Sequence, residues 1–125
     1  MFMKDGPQGN QLRTYVEDGT SATGFCGEVL RACSFNRDLM YEVGTAMGED
    51  WYRTETVGAY TPAVNIHRTP YAGRNFEYYS EDGFLSGELA TQEVEGLQKS
   101  RRYLLHQAFC TERSGNQPSG HLHLL

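Results

Sequence analysis

Arginines, carboxylates and tyrosines crowd into one run of this chain. Between Asn65 and Asp82 lie Arg68, Arg74, Glu77, Glu81 and Asp82, with Tyr71, Tyr78 and Tyr79 among them. Fixed guanidinium and carboxylate groups hydrogen-bond hydroxyls, while aromatic rings cover C–H faces. A sugar presents both kinds of surface, so it is the ligand class this mixture suits. The plainer reading of the same residues is a loop braced by an Arg74–Glu77 ion pair. No long apolar stretch interrupts the run, which reads as a loop following a strand.

The flanking sequence must hold that loop. Residues 59–66 are β-prone, and Pro62 withholds one ladder donor, which places it at a strand end or bulge. Downstream, Ser86 is a candidate N-cap with Glu88 in the first turn, and Leu85, Leu89, Val94 and Leu97 share a helical face. Strand, polar loop and helix make one β/α unit. Upstream, Asn36 is a candidate N-cap with Asp38 near the positive helix end. Leu39, Val43, Ala46 and Met47 then recur at helical spacing as far as Gly48. Asp5-Gly6-Pro7 with Gly9 spells a turn.

With 125 residues, the chain allows one small domain with a modest core. Its 38% hydrophobic and 22% charged content is that of an ordinary globular protein. A net charge of -5 speaks against a nucleic-acid partner, and no apolar run reaches membrane-spanning length. Met1 to Asp5 lack the basic and apolar regions of a signal peptide, so the chain as written is expected in the cytoplasm. Cys26, Cys33 and Cys110 have no framework spacing and read as free thiols, and the absence of a Cys-x-x-Cys pair excludes the commonest zinc motif.

The run Gly73-Arg74-Asn75-Phe76-Glu77-Tyr78-Tyr79-Ser80-Glu81-Asp82 resembles a signature of the family 3 glycoside hydrolases, the β-glucosidase-like enzymes. Residues 62–68 before it, and 85–90 with 96–98 after it, fit the same pattern. So do the Asp5-Gly6-Pro7-Gln8-Gly9 turn and the Ser34-Phe35-Asn36-Arg37-Asp38-Leu39 helix start. The motifs stand in the family's order over roughly residues 4 to 98. Gly83 departs from the proline usual after Ser-Glu-Asp.

The resemblance implies an α/β fold, a partial (β/α)8 TIM-type barrel, since a whole barrel needs about 250 residues. It implies retaining hydrolysis of a terminal β-linked sugar, glucose foremost, with no metal or organic cofactor. Asp5 and Arg74 would bind hydroxyls of the innermost sugar. Arg13 would match a second arginine after the turn, displaced by the two extra residues Asn10-Gln11. Two carboxyl groups about 5 Å apart would act as nucleophile and acid/base. The family places both downstream of this segment, so no residue here is assigned a catalytic role. Glu77, Ser80, Glu81 and His67 are expected to brace the loop. Other classes consistent with the same loop are a non-catalytic carbohydrate-binding module and an inert truncated product.

The resemblance stops after Gln98, and the composition changes there. Residues 1–98 hold seven basic against fifteen acidic side chains, while residues 99–125 hold four against one. The family's next element, Lys-His-Phe, is missing from the visible reading frame but can be written in a shifted one. Gln107 followed by Ala108 hides a lysine codon, Ala108–Phe109 a histidine and Phe109–Cys110 a phenylalanine. The hidden lysine falls at the distance from Arg74 that the family shows. An Asn-Glu-x-Glu-Thr-Asn-Arg element can follow in the same frame. Residues 1–98 are therefore expected to be part of the barrel domain, and residues 99–125 an out-of-frame, irregular tail. His121 and His123 could face one side of a strand, a weak metal signal without further ligands.

Overall fold

Three short strands form a parallel sheet in sequence order: β1 (Met3–Asp5), β2 (Gly58–Tyr60) and β3 (Leu105–His106). Helices α1 (Glu28–Ala32) and α2 (Arg37–Arg53) cross from β1 to β2, and α3 (Gly83–Lys99) crosses from β2 to β3. This computed structural model describes residues 3–10, 21–56, 58–99 and 105–106. Alternating strands and helices around a parallel sheet make the chain α/β. Lys4 faces Ala59 and Asp5 faces Tyr60, so the ends of β1 and β2 lie level. Among the described residues no helix is long and apolar enough to cross a membrane.

Asn36 caps α2 as its sequence promises, its Oδ1 accepting from the Leu39 N–H at 3.1 Å. The helix runs through Gly48 to Arg53 rather than stopping. An interior glycine costs about 0.5–1 kcal/mol, and burying Trp51 one turn later offsets that loss. Past Arg53, Glu55 takes a left-handed φ of 54°, and the Thr56 N–H returns to the Trp51 carbonyl at 3.0 Å. That left-handed step ends the helix.

The buried face of α2 differs from the apolar count. Met40, Gly44, Met47, Gly48 and Trp51 are inside, while Leu39 and Ala46 are exposed. Glycine explains the rotation. A Cβ at Gly44 would collide with the Glu93 carbonyl, and one at Gly96 with the Tyr41 carbonyl. α2 and α3 therefore touch backbone to backbone, and the glycines decide which faces meet.

α3 also starts earlier than Ser86. Asp82 accepts from the N–H groups of Phe84 (3.0 Å) and Leu85 (3.2 Å), so it satisfies the first turn. Ser86 lies buried inside the helix, on a face with Leu89, Ala90, Glu93, Gly96 and Leu97. Asp82 displaces Ser86 because the chain bends at Glu81 and enters the helix at Gly83, which leaves Ser86 an interior residue.

The core has two clusters. Ala32, Met40, Tyr79, Leu89 and Ala90 pack together, with Val64 and Leu85 at their margin. Met47, Trp51, Ala59 and Leu97 form the second, flanked by Phe25 and Val43. Each fully buried large side chain contributes about 1.5–3 kcal/mol. β2 is shorter than residues 59–66, ending at Tyr60 just before the cis Thr61–Pro62 peptide. Within 99–125, Leu105–His106 form β3 beside β2, and the rest of that segment lies outside the described residues.

Candidate functional site

Asp5 is the last residue of β1 and is exposed. The chain then turns, with the Gly9 N–H on the Gly6 carbonyl at 3.0 Å. Gly9 has φ 107°, and a Cβ there would collide with the Thr23 carbonyl, so glycine is required. Gln8 accepts from the Phe25 N–H at 2.9 Å, and Asn10 donates to Thr54 and Thr56 at 2.5 and 3.2 Å. These contacts fasten the turn to the α1 approach and to the exit from α2.

Arg74 sits in the connection that leaves the adjacent strand β2. It opens a single 3₁₀ turn, Asn75–Glu77, and its Nε donates to Glu77 Oε1. Its guanidinium lies 5.8 Å from the Tyr78 ring centre, a cation–π distance. The bracing pair and the exposed guanidinium thus coexist, since Arg74 keeps 46% of its side-chain surface open against 11% for Glu77.

His67 organises the loop from within. Its Nε2 lies 2.9 Å from the Asn75 carbonyl and 3.0 Å from the Tyr78 carbonyl. Two acceptors facing one nitrogen require that nitrogen to carry hydrogen. The His67 N–H also donates to the Ser80 carbonyl at 3.0 Å, and Asn75 Nδ2 to the Thr69 carbonyl at 2.8 Å. Asp82 is spent on capping α3. Glu81 and Arg68 are exposed.

Beneath both loops lies a charge cluster that no periodicity announces. Arg31 is clasped between Glu93 (3.1 Å) and Glu28 (3.5 Å), all three side chains being sealed from solvent. The Tyr79 hydroxyl donates to the same Glu93 oxygen at 2.5 Å. Burial, reinforced by the charge of Glu93, pushes the Glu28 carboxyl well above the usual carboxylate range against the pull of Arg31. Burial also raises Glu93, opposed by Arg31 and by the Tyr79 hydroxyl. Tyr79 is pushed well above its ordinary value by burial, then by Glu93 and Glu28. Of the two carboxyls, Glu28 is the better holder of a proton, because Glu93 has the closer cation and a hydroxyl donor.

Asp5 ends β1, and Arg74 lies in the connection that leaves the neighbouring parallel strand β2. Arg13 lies outside the described residues, as do Cys110, His121 and His123. Cys26 and Cys33 are free and exposed. Among the described residues no group of three or more His, Cys, Asp or Glu side chains could hold a metal ion. Sequence reading passed over Glu28, Arg31 and Glu93. The Glu28-x-x-Arg31 spacing was visible, but its buried partner stands on a distant helix.

Residues 9–112 match the glycosyl hydrolase family 3 N-terminal domain. Beta-glucosidase A of Butyrivibrio fibrisolvens is 49% identical over 96 residues, which is 77% of this chain and 11% of that protein. Thermostable beta-glucosidase B of Acetivibrio thermocellus is 41% identical over 106 residues, 78% of this chain and 14% of that protein. The structure of beta-glucosidase 3B from Thermotoga neapolitana in complex with glucose superposes with a TM-score of 0.78 at 42% identity. That match covers 86% of this chain and 15% of the Thermotoga chain. The chain therefore spans a small fraction of the proteins it resembles. Over most of its length it belongs to glycosyl hydrolase family 3, within the N-terminal domain.

Proposed function

We propose that this chain supplies the first sugar-binding loops of a β-glucosidase-like hydrolase acting on terminal β-linked sugars. The observation that carries this reading is that Asp5 ends β1 level with the end of β2, from which the connection bearing Arg74 departs. Catalytic groups of (β/α)8 barrels gather at that end of the strands, and the βαβαβ order supports the reading of a partial barrel. Asp5 accepts from sugar hydroxyls, Arg74 donates to them, and Arg13 joins them after the turn. No pair of carboxylates in the loop is left for nucleophile and acid/base: Glu77 is held by Arg74 and Asp82 by the start of α3. The chain by itself is expected to bind glucose and not to cleave glucosides.

The test has two arms. Glucose should raise the unfolding temperature of the purified chain, and an aryl β-glucoside should release no nitrophenol. Release of nitrophenol would overturn the assignment of catalysis elsewhere. Failure of glucose to stabilise the chain would overturn the binding assignment.

We further infer that residues from about 99 onward are read out of frame. The acidic-to-basic change after residue 98 supports this, as does the hidden Lys-His-Phe beginning at codon 107. β3 ends at His106, directly before that codon, where a barrel strand would hand over to substrate-binding residues. The family match reaches residue 112 in the visible frame, which weighs on the other side. Resequencing the gene decides: codons incompatible with the hidden peptide would end the idea. A restored downstream frame carrying a nucleophilic aspartate would favour the hydrolase over a stand-alone binding module.

A further inference from the structure

We propose that the buried Glu28–Arg31–Glu93 cluster, with Tyr79, is a positioning device that sets the Asp5 turn and the Arg74 loop relative to each other. The inference rests on the sugar-binding reading of those two residues and adds the machinery that aligns them.

The contacts are directed at the two connections. Arg31 Nη2 donates to the Pro7 carbonyl at 2.7 Å, two residues beyond Asp5. Glu28 Oε1 accepts from the Ala63 N–H at 3.0 Å, where the chain leaves β2. Glu93 Oε2 receives both Arg31 Nη1 and the Tyr79 hydroxyl, which ties the end of the Arg74 loop to α3. One guanidinium and two carboxyls thus join the turn after β1, the exit from β2, the loop carrying Arg74, α1 and α3.

A cluster kept for stability alone would look different. Apolar side chains of the same volume would hold these segments as firmly, because charges lose their hydration on burial. Glu28 Oε2, Glu93 Oε1 and Arg31 Nε also have no hydrogen-bond partner within the structure. Charge-assisted hydrogen bonds add what apolar packing lacks, a fixed direction and length. Two loops that must present an acceptor and a donor to the same small ligand need that constraint.

The test uses the 125-residue chain and two readouts, amide hydrogen exchange without ligand and glucose affinity by ¹H–¹⁵N shifts. In Arg31→Met, exchange at the Gly9 and Ala63 amides should rise about tenfold beyond any rise at the α2 amides. Glucose affinity should fall about tenfold. Tyr79→Phe, which leaves the ion pairs in place, should move both readouts the same way by less, and it serves if Arg31→Met does not fold. Leu97→Ala, at the far end of α3, should loosen α2 and α3 without selective change at Gly9 or Ala63. Arg31→Lys should recover only part of the effect, since a point charge cannot span the fork. Equal acceleration at Gly9, Ala63 and α2 would overturn the positioning role. So would selective loosening with glucose affinity intact. Failure of the unmodified chain to bind glucose would instead overturn the sugar-binding reading, and that result is read before any variant is made.

Discussion

Two Arg–Glu pairs at the same i,i+3 spacing do opposite things in this molecule. Glu28 and Arg31 are sealed, with 0% and 1% of their side-chain surfaces exposed, and their polar atoms point at backbone groups of other segments. Arg74 keeps nearly half of its side chain open, while its partner Glu77 is buried beneath it. Spacing and residue type are therefore silent about role. Burial makes the first pair a fixture of the fold, while the second joins a half-exposed guanidinium to a buried carboxylate.

The contrast should break first at the buried pair. Arg31→Met strands two carboxyls without their cation and should cost about 3–5 kcal/mol, measured by urea unfolding. For a small domain that is a large share of the total. Gly44→Ala attacks the same cluster indirectly, because the added methyl collides with the backbone of Glu93. Overpacking of this kind costs about 1–3 kcal/mol, and a smaller loss in the urea midpoint would mean that α3 can slide away freely.

The pH dependence sharpens the comparison further. Glu28 holds its proton more tightly folded than unfolded, so its contribution is complete below the unfolded carboxylate pKa of about 4.3. It is lost as pH rises through the raised folded value. The groups facing Glu28 are Arg31, Glu93 and Glu77, and Tyr79 joins through Glu93. Glu28→Gln carries no titrating proton, so it should gain stability relative to the unmodified chain as pH rises from about 4.3, the unfolded carboxylate value, through the raised folded one. Paired urea titrations across that range check it, and parallel curves would refute it. Arg74→Ala should cost less than Arg31→Met, about 1–3 kcal/mol, because it leaves only the one buried Glu77 carboxylate without its ion-pair partner.

Much of this was legible in the chain because it is local. Asn36 capping a helix, Asp5-Gly6-Pro7 turning with Gly9, and Pro62 standing at a strand end all depend on neighbours within a few residues. The same holds for His67 as a bracing imidazole, whose acceptors come from its own loop. The buried face of α2 was not legible, because Gly44 and Gly96 carry no apolar signal yet set how closely the helices approach. Nor could the sequence show that Arg31 meets Glu93, since that contact depends on how α1 and α3 pack. Asp82 displaced Ser86 as the cap of α3 because both satisfy the same local rule, and only the path of the chain separates them.

The central claim is that Asp5 and Arg74 together receive a sugar. The most direct measurement is a glucose titration of the chain followed by ¹H–¹⁵N shifts, repeated on Asp5→Asn and Arg74→Ala. The account predicts saturable shifts in the Gly6–Gly9 turn and in residues 72–80, abolished or strongly weakened in both variants while the fold is kept. Shifts that are absent, or that persist unchanged in the two variants, would contradict it.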